Sequence, residues 1–263
     1  MKRPIVTLLT DFGLEDPYVA EMKGVISGIC SNANIIDISH DIEKFNIRLG
    51  AFILASVSRF FPKRTINIAV VDPGVGTERR GLCVETLKGF LIGPDNGVLV
   101  LAARTQGIKH AYVIENSRYL LHEVSHTFHG RDIFAPVAAH IACGVRPSNI
   151  GSQTSKMAVP KFVKTVKKKR AVTGEILYVD SFGNAATNIT EKDLETVGLR
   201  QQLRLKIDNC QTKLKFCNAY GDVEVGEALT LIGSHGFLEV SVNQGDASKD
   251  FALKIGDKIT FCT

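Results

Sequence analysis

The segment Val70-Val71-Asp72-Pro73-Gly74-Val75-Gly76-Thr77-Glu78-Arg79 sends a carboxylate out of an apolar run directly into a turn. Ile66 to Val71 has the composition of a buried strand, and Pro73-Gly74 breaks it, so Asp72 should stand at the strand's C-terminal end. In an open parallel sheet that edge is where ligands bind. A second stretch repeats the pattern, with Ile5 to Leu9 running into Thr10-Asp11-Phe12-Gly13. Two strands thus deliver two aspartates to one rim. Asp11 could accept two hydrogen bonds from a cis-diol, as acidic residues do for ribose, or it could cap the next helix or turn. Arg79 lies seven residues beyond Asp72 across a glycine-rich turn, within reach of an ion pair, although Arg80 competes on spacing alone.

A third constellation is His126-Thr127-Phe128-His129-Gly130-Arg131-Asp132. A helix is predicted to start near Asp132, which puts His129 at its N-terminus, where backbone N–H groups favour anions and depress a histidine's pKa. His122, His126 and His129 invite a metal reading, but the segment reads as a loop and lacks the HExxH context. Further along, Asp180-Ser181-Phe182-Gly183-Asn184 reads as a turn between strands. Phe182 offers a face for stacking and Asn184 both donors and acceptors for a base edge, while an ordinary hairpin with a buried Phe is the plainer reading. No Walker loop, GxGxxG fingerprint or nucleophile elbow is present.

These segments need a frame that brings strand ends together. The first half alternates apolar strand runs (6–9, 35–38, 66–71, 81–86, 90–92, 111–114) with helical patterns (18–30, 47–61, 97–104, 133–143), the signature of a mainly parallel sheet with helices on both faces. Beyond residue 171 the runs are short and strand-like (174–179, 203–207, 213–216, 228–232, 237–242, 258–261), as in a small barrel or sandwich. The expectation is an α/β domain over 1–155 that carries the catalytic residues, a basic linker over 156–171 and an all-β, barrel-like domain over 172–263.

Composition narrows the function classes. At 263 residues and 44% hydrophobic content the chain can build real cores. No apolar run reaches the roughly 18–20 residues of a membrane span, and the opening strand is too short for a signal peptide, so a soluble cytoplasmic protein is expected. Six scattered cysteines without a CxxC pair read as buried free thiols. The net charge of +5 is local: seven basic and no acidic residues lie between Lys156 and Arg170, and the rest of the chain has 25 basic against 27 acidic residues. That favours a solvated linker or strand edge over a nucleic-acid surface.

Taken together, Thr10-Asp11-Phe12-Gly13, Val71-Asp72-Pro73-Gly74-Val75-Gly76, Gly93-Pro94-Asp95-Asn96-Gly97, Thr127-Phe128-His129-Gly130-Arg131-Asp132 and Asp180-Ser181-Phe182-Gly183-Asn184 resemble the motifs of the S-adenosyl-L-methionine (SAM) hydroxide adenosyltransferases, the SAM-hydrolysing relatives of the bacterial fluorinase and chlorinase. The resemblance implies an N-terminal α/β domain joined to a C-terminal β-barrel. It implies homotrimers, with SAM held between one subunit's N-terminal domain and its neighbour's C-terminal domain. It implies a catalytic set of Asp72, Arg79 and His129, where halogenating members carry a hydroxylic or aromatic residue in place of the Asp and a Ser where Gly130 stands here. Asp11 would bind the ribose hydroxyls, Asp16 the methionine amino group, and Phe182 and Asn184 the adenine. Ser234 and His235 would grip the methionine carboxylate, and Phe128 and Asp180 complete the binding motifs. SAM would be the substrate, with no cofactor and no metal. Two other readings remain open on the residues: a metal-dependent hydrolase using Asp11, Asp72, His126 and His129, and a non-catalytic nucleotide- or RNA-binding protein.

Overall fold

The computed structural model describes residues 3–198, 202–207 and 210–262. The chain divides into two compact units, Met1–Val159 and Pro160–Thr263. The first holds six strands, β1 (Ile5–Thr10), β2 (Asn34–Ser39), β3 (Thr65–Val70), β4 (Gly81–Thr86), β5 (Gly89–Pro94) and β6 (Ile108–Val113), in the order β2-β1-β3-β5-β4-β6. The strands from β2 to β5 pair in parallel, whereas β4 runs antiparallel to both β5 and β6, so the sheet is mixed. The antiparallel part follows from the turn Leu87-Lys88, which is too short for a crossover and folds β4 and β5 into a hairpin.

Helices cover both faces. α1 (Tyr18–Ile29) packs on α4 (Ala135–Ala142), and α2 (Ile47–Ser58) packs on α3 (Val100–Gln106). Helical spacing puts Val19, Met22 and Ile26 of α1 on one buried stripe. Val6, Leu8, Ile68 and Val70 join Met22, Ile26 and Val137 in one core, while Leu9 and Val71 face Gly50 of α2. β3 is buried along its whole length, as expected of a central strand between two helical layers. The Asn46 side chain caps α2 by accepting from the Leu49 N–H at 2.9 Å.

The second unit contains β7 (Val166–Lys168), β8 (Ala171–Val179), β9 (Ala185–Thr190), β10 (Gln202–Ile207), β11 (Cys210–Phe216), β12 (Ala228–Ile232), β13 (Phe237–Val242) and β14 (Lys258–Cys262), with short helices α5 (Glu191–Val197) and α6 (Ala247–Asp250). Seven of these close a barrel in the order β8-β9-β13-β12-β11-β10-β14, and β14 pairs back onto β8. Closure pairs strands that would otherwise be edges. Val172, Ile176, Leu205, Leu214, Leu238 and Phe261 fill the interior. The basic stretch supplies β7, an exposed strand on the outer side of β8 whose Lys167 pairs with Asp193 at 2.6 Å.

Two local expectations change. β9 has no apolar run, yet it is buried, because Thr187 donates to the Leu238 carbonyl and Asn188 to the Phe162 carbonyl, both at 2.8 Å. The cysteines are not uniformly buried: Cys30, Cys83 and Cys217 are, but Cys143 is exposed just past α4 and Cys262 is half-buried at the end of β14. All five are free thiols, and the side chain of Cys210 lies outside the described residues. Among the described residues no helix is long and apolar enough to cross a membrane.

Candidate active site

Asp11 follows β1 by one residue and Asp72 follows β3 by two, and the parallel pairing sets Thr10 opposite Val70. The two carboxylates therefore reach the same rim of the sheet. They border a cavity of about 250 Å³ that Asp16, Phe128 and His129 also line. Phe12, Tyr18 and Phe128 form one edge-to-face aromatic cluster beside it, with centroids 5.1–5.9 Å apart. The Asp11 Oδ2 accepts the Phe45 N–H at 2.8 Å, which holds the carboxylate in place while Oδ1 has no partner among the described residues.

The turn after β3 is built to return Arg79 to Asp72. Thr77 donates to the Gly74 carbonyl at 2.7 Å, and Asn96 donates to the Val71 carbonyl at 2.8 Å, tying the turn to the Gly93–Gly97 motif. Gly76 sits at φ +77°, and a Cβ there would lie 2.2 Å from the His126 carbonyl oxygen. Only glycine lets the 72–79 turn lie against the histidine loop. Arg79 Nε then lies 3.0 and 2.9 Å from the two Asp72 oxygens, and Nη2 donates to Asp72 Oδ2 and, at 2.7 Å, to His129 Nδ1. The Arg79 side chain is 11% exposed and that of Asp72 5%, so the pair is desolvated. Arg80 turns away to Asp95 and the Lys156 carbonyl. Spacing left Arg79 and Arg80 equivalent; the fold separates them.

Arginine has only donors, so His129 Nδ1 must accept, and the neutral ring carries its hydrogen on Nε2. His129 stands immediately before a π turn (Gly130–Phe134) that leads into α4. Its pKa is lowered from the usual histidine value. Burial is the main cause and the Arg79 charge adds to it, against opposing pulls from Asp72 and Asp132. The loop is held from below. Buried Asp132 accepts the Ser125 N–H at 2.8 Å, and Arg131 bridges Asp132 and Glu21 while lying over the Phe128 ring at 5.0 Å.

In the second unit, Asp180 spends its oxygens on its own turn. It accepts from the Phe182 and Asn184 backbone N–H groups at 2.9 Å each and from the Asn184 side chain at 3.0 Å. Phe182 is 75% exposed, a flat apolar face at the turn's tip, so the buried-Phe hairpin reading gives way. Both ring nitrogens of His235, next to Ser234, are engaged: Nδ1 accepts the Phe237 N–H at 3.1 Å, and Nε2 lies 2.8 Å from buried Glu239. Tyr220 and Ser241 also donate to Glu239, each at 2.8 Å.

The structure brings Asp11, Asp16, Asp72, Phe128 and His129, all expected site residues, to one cavity, and Arg79 contacts two of them. The sequence reading missed Tyr18, Lys44 and Phe45, which line the same cavity. Nothing local marks Phe45, whose role comes from a backbone N–H presented to Asp11 from 34 residues away. His122 and His126 are exposed. Among the described residues no group of three or more His, Cys, Asp or Glu is arranged to hold a metal ion.

Comparison with known proteins gives one pattern. Residues 6–151 match the model of the SAM hydroxide adenosyltransferase N-terminal domain, and residues 174–260 match that of the C-terminal domain. The chain is 38% identical to the (R)-S-adenosyl-L-methionine hydrolase of Methanocaldococcus jannaschii, over 97% of this chain and 94% of that one. It is 35% identical to the protein of the same name from Salinispora tropica, over 97% of each. A crystal structure of a conserved protein from Thermotoga maritima superimposes with a TM-score of 0.84 at 39% identity, covering 98% of this chain and all of that one.

Proposed function

Because the chain belongs to the SAM hydroxide adenosyltransferase family, we propose that it hydrolyses SAM to adenosine and L-methionine by in-line attack of water on the ribose C5′. The observation that carries this reading is Arg79, which bridges Asp72 and His129 at the edge of a cavity that Asp11 borders. In the reaction a bond forms from the water oxygen to C5′ while the C5′–S bond breaks. The sulfonium takes that electron pair and leaves as the neutral thioether of methionine, so no general acid is needed at sulfur. The water's proton must go to a base.

The hydrogen-bond pattern favours Asp72 as that base. His129 Nδ1 is taken by Arg79, and its Nε2–H can only donate, to the water's oxygen. His129 therefore orients the nucleophile, Asp72 accepts the proton, and Arg79 holds the two in register. Base assistance of this kind contributes about 10²–10⁴ in rate. Holding the water in line behind C5′ contributes up to roughly 7–11 kcal/mol in ideal cases. Asp11 takes the ribose diol through its unpartnered oxygen, and Asp16 meets the methionine amino group. Phe128, Asp180, Phe182, Asn184, Ser234 and His235 complete the reading, with the barrel residues supplied by a neighbouring subunit of a homotrimer to hold the adenine and the methionine carboxylate. The exposed ring of Phe182 supports a stacking role.

The direct test is incubation of the purified chain with SAM in ¹⁸O-water. Adenosine labelled at the 5′ oxygen, together with methionine, is the expected product pair. Intact SAM, or label-free adenosine, would remove the reading. Running the two sulfonium epimers separately tests whether this chain shares the (R) preference in its relatives' names.

The histidine assignment has its own check. The neutral ring is the working form, and burial and Arg79 both push its pKa below the ordinary 6.5. His129 should thus be neutral at pH 7 and charge only below pH 6.5, with activity lost on the same acidic limb. Ring ¹⁵N shifts should report the Nε2–H tautomer and a midpoint below 6.5. An Nδ1–H tautomer, or a midpoint at 6.5 or above, contradicts the assignment.

A further inference from the structure

A second cavity of the first unit lies at the other end of the sheet. Its volume is about 480 Å³, within the range of small-molecule sites. Lys63 and Arg64 precede β3, whereas Asp72 follows it, and six residues of strand hold these ends roughly 20 Å apart. Lys88 comes from the β4–β5 turn, Lys109 from β6 and Arg146 from the segment after α4. Five cations from four stretches of chain converge on one cavity, and among the described residues Glu85 is the only acidic one lining it. Glu85 is partnered by Lys109 at 3.4 Å. Among the described residues Lys63, Arg64, Lys88 and Arg146 form no ion pair. Outside residues 156–170 the chain has no net excess of positive charge, so this concentration is not a sample of a generally basic surface.

A backbone observation singles out the same place. Arg64 adopts φ +72°, a left-handed conformation that a non-glycine residue rarely takes. Its N–H donates to the Lys88 carbonyl at 2.6 Å, which ties together two cationic residues that line the cavity. Gly would fill this turn without strain. Phe90 and Ile141 add apolar surface to the lining. Guanidinium groups pair bidentately with phosphate, and ammonium groups add point charges along a phosphate chain.

From the convergence of these unpaired cations on one cavity, we infer that the first unit carries a binding site for a short polyphosphate chain, distinct from the Asp72 site. The chain could be free or carried on a nucleoside, and the two sources share the same recognition chemistry.

The test is calorimetric titration of the full chain with tripolyphosphate at about 50 mM salt. Saturable binding of one ion per chain is expected, weakening as salt screens the charges. The double variant Lys63→Gln/Arg146→Gln should weaken it at least tenfold while leaving SAM turnover without the ligand unchanged. Lys168→Gln/Lys169→Gln, in the basic stretch of the second unit, should bind tripolyphosphate like the parent. No saturable binding, binding retained by the first double variant, or binding lost in the second would each overturn the inference. ATP identifies the source. Affinity equal to tripolyphosphate means the free chain is sufficient. Affinity at least tenfold tighter, kept in Asp11→Ala, means a nucleoside polyphosphate. The Asp11 variant separates this from adenosine entering the SAM site.

Discussion

Replacing Asp72 with Asn is expected to lower kcat for SAM hydrolysis by about 10²–10⁴, with little change in SAM affinity. Asn keeps the size and one acceptor for Arg79 but has no carboxylate to take the water's proton. The loss corresponds to about 2.7–5.5 kcal/mol of barrier at 1.36 kcal/mol per decade. The substitution also acts on the fold. Asp72 and Arg79 are a largely desolvated pair, and stripping one charge from a fully buried pair costs about 3–5 kcal/mol, which is the upper bound here. Turnover is therefore measured well below the variant's melting temperature, with SAM binding checked by calorimetry. A folded, SAM-binding variant that loses less than tenfold in kcat would show that the base lies elsewhere.

Phe134→Ala is expected to cost about 3–5 kcal/mol of stability, the usual range for truncating a fully buried phenylalanine. Phe134 has no solvent exposure and belongs to the main core of the first unit. Its ring also lies under the Arg79 guanidinium at 5.4 Å, so core packing and the geometry of the proposed site meet at one side chain. The melting transition of the first unit should fall by roughly 6–20 °C. Phe134→Leu separates the two roles. It keeps most of the volume and costs less stability, but it removes the aromatic face, so kcat should drop severalfold while the protein stays folded. Melting within about 2 °C of the parent for Phe134→Ala would mean that this position is not the packing centre described here.

Much of the architecture was legible because its signals are local. Apolar strands of the first unit run into turn residues, so Asp11 and Asp72 could be assigned to strand ends from a few neighbours each. The glycine-rich turn announced a chain reversal. The five motifs, in order along the chain, carry the family resemblance by themselves. β9 escaped because its burial depends on Thr187 and Asn188 finding carbonyl partners on other segments, and a polar side chain does not reveal whether it will be satisfied. Asn96 was legible only as part of a motif. Its task, holding the Val71 carbonyl beside Asp72, is a contact across 25 residues.

The candidate site divides along the same line. The sequence by itself determined which side chains were available, the two domain types and the strand ends where carboxylates would emerge, because hydrophobic period and turn chemistry act over a few residues. The tertiary structure decided that Arg79 and not Arg80 joins Asp72, that His129 turns Nδ1 to Arg79, and that burial and the Arg79 charge lower its pKa. It also decided that cations from four separate stretches meet in one cavity. Direction, desolvation and charge proximity depend on distances between residues far apart in the chain, and those distances exist only once the sheet, its helices and its turns have packed.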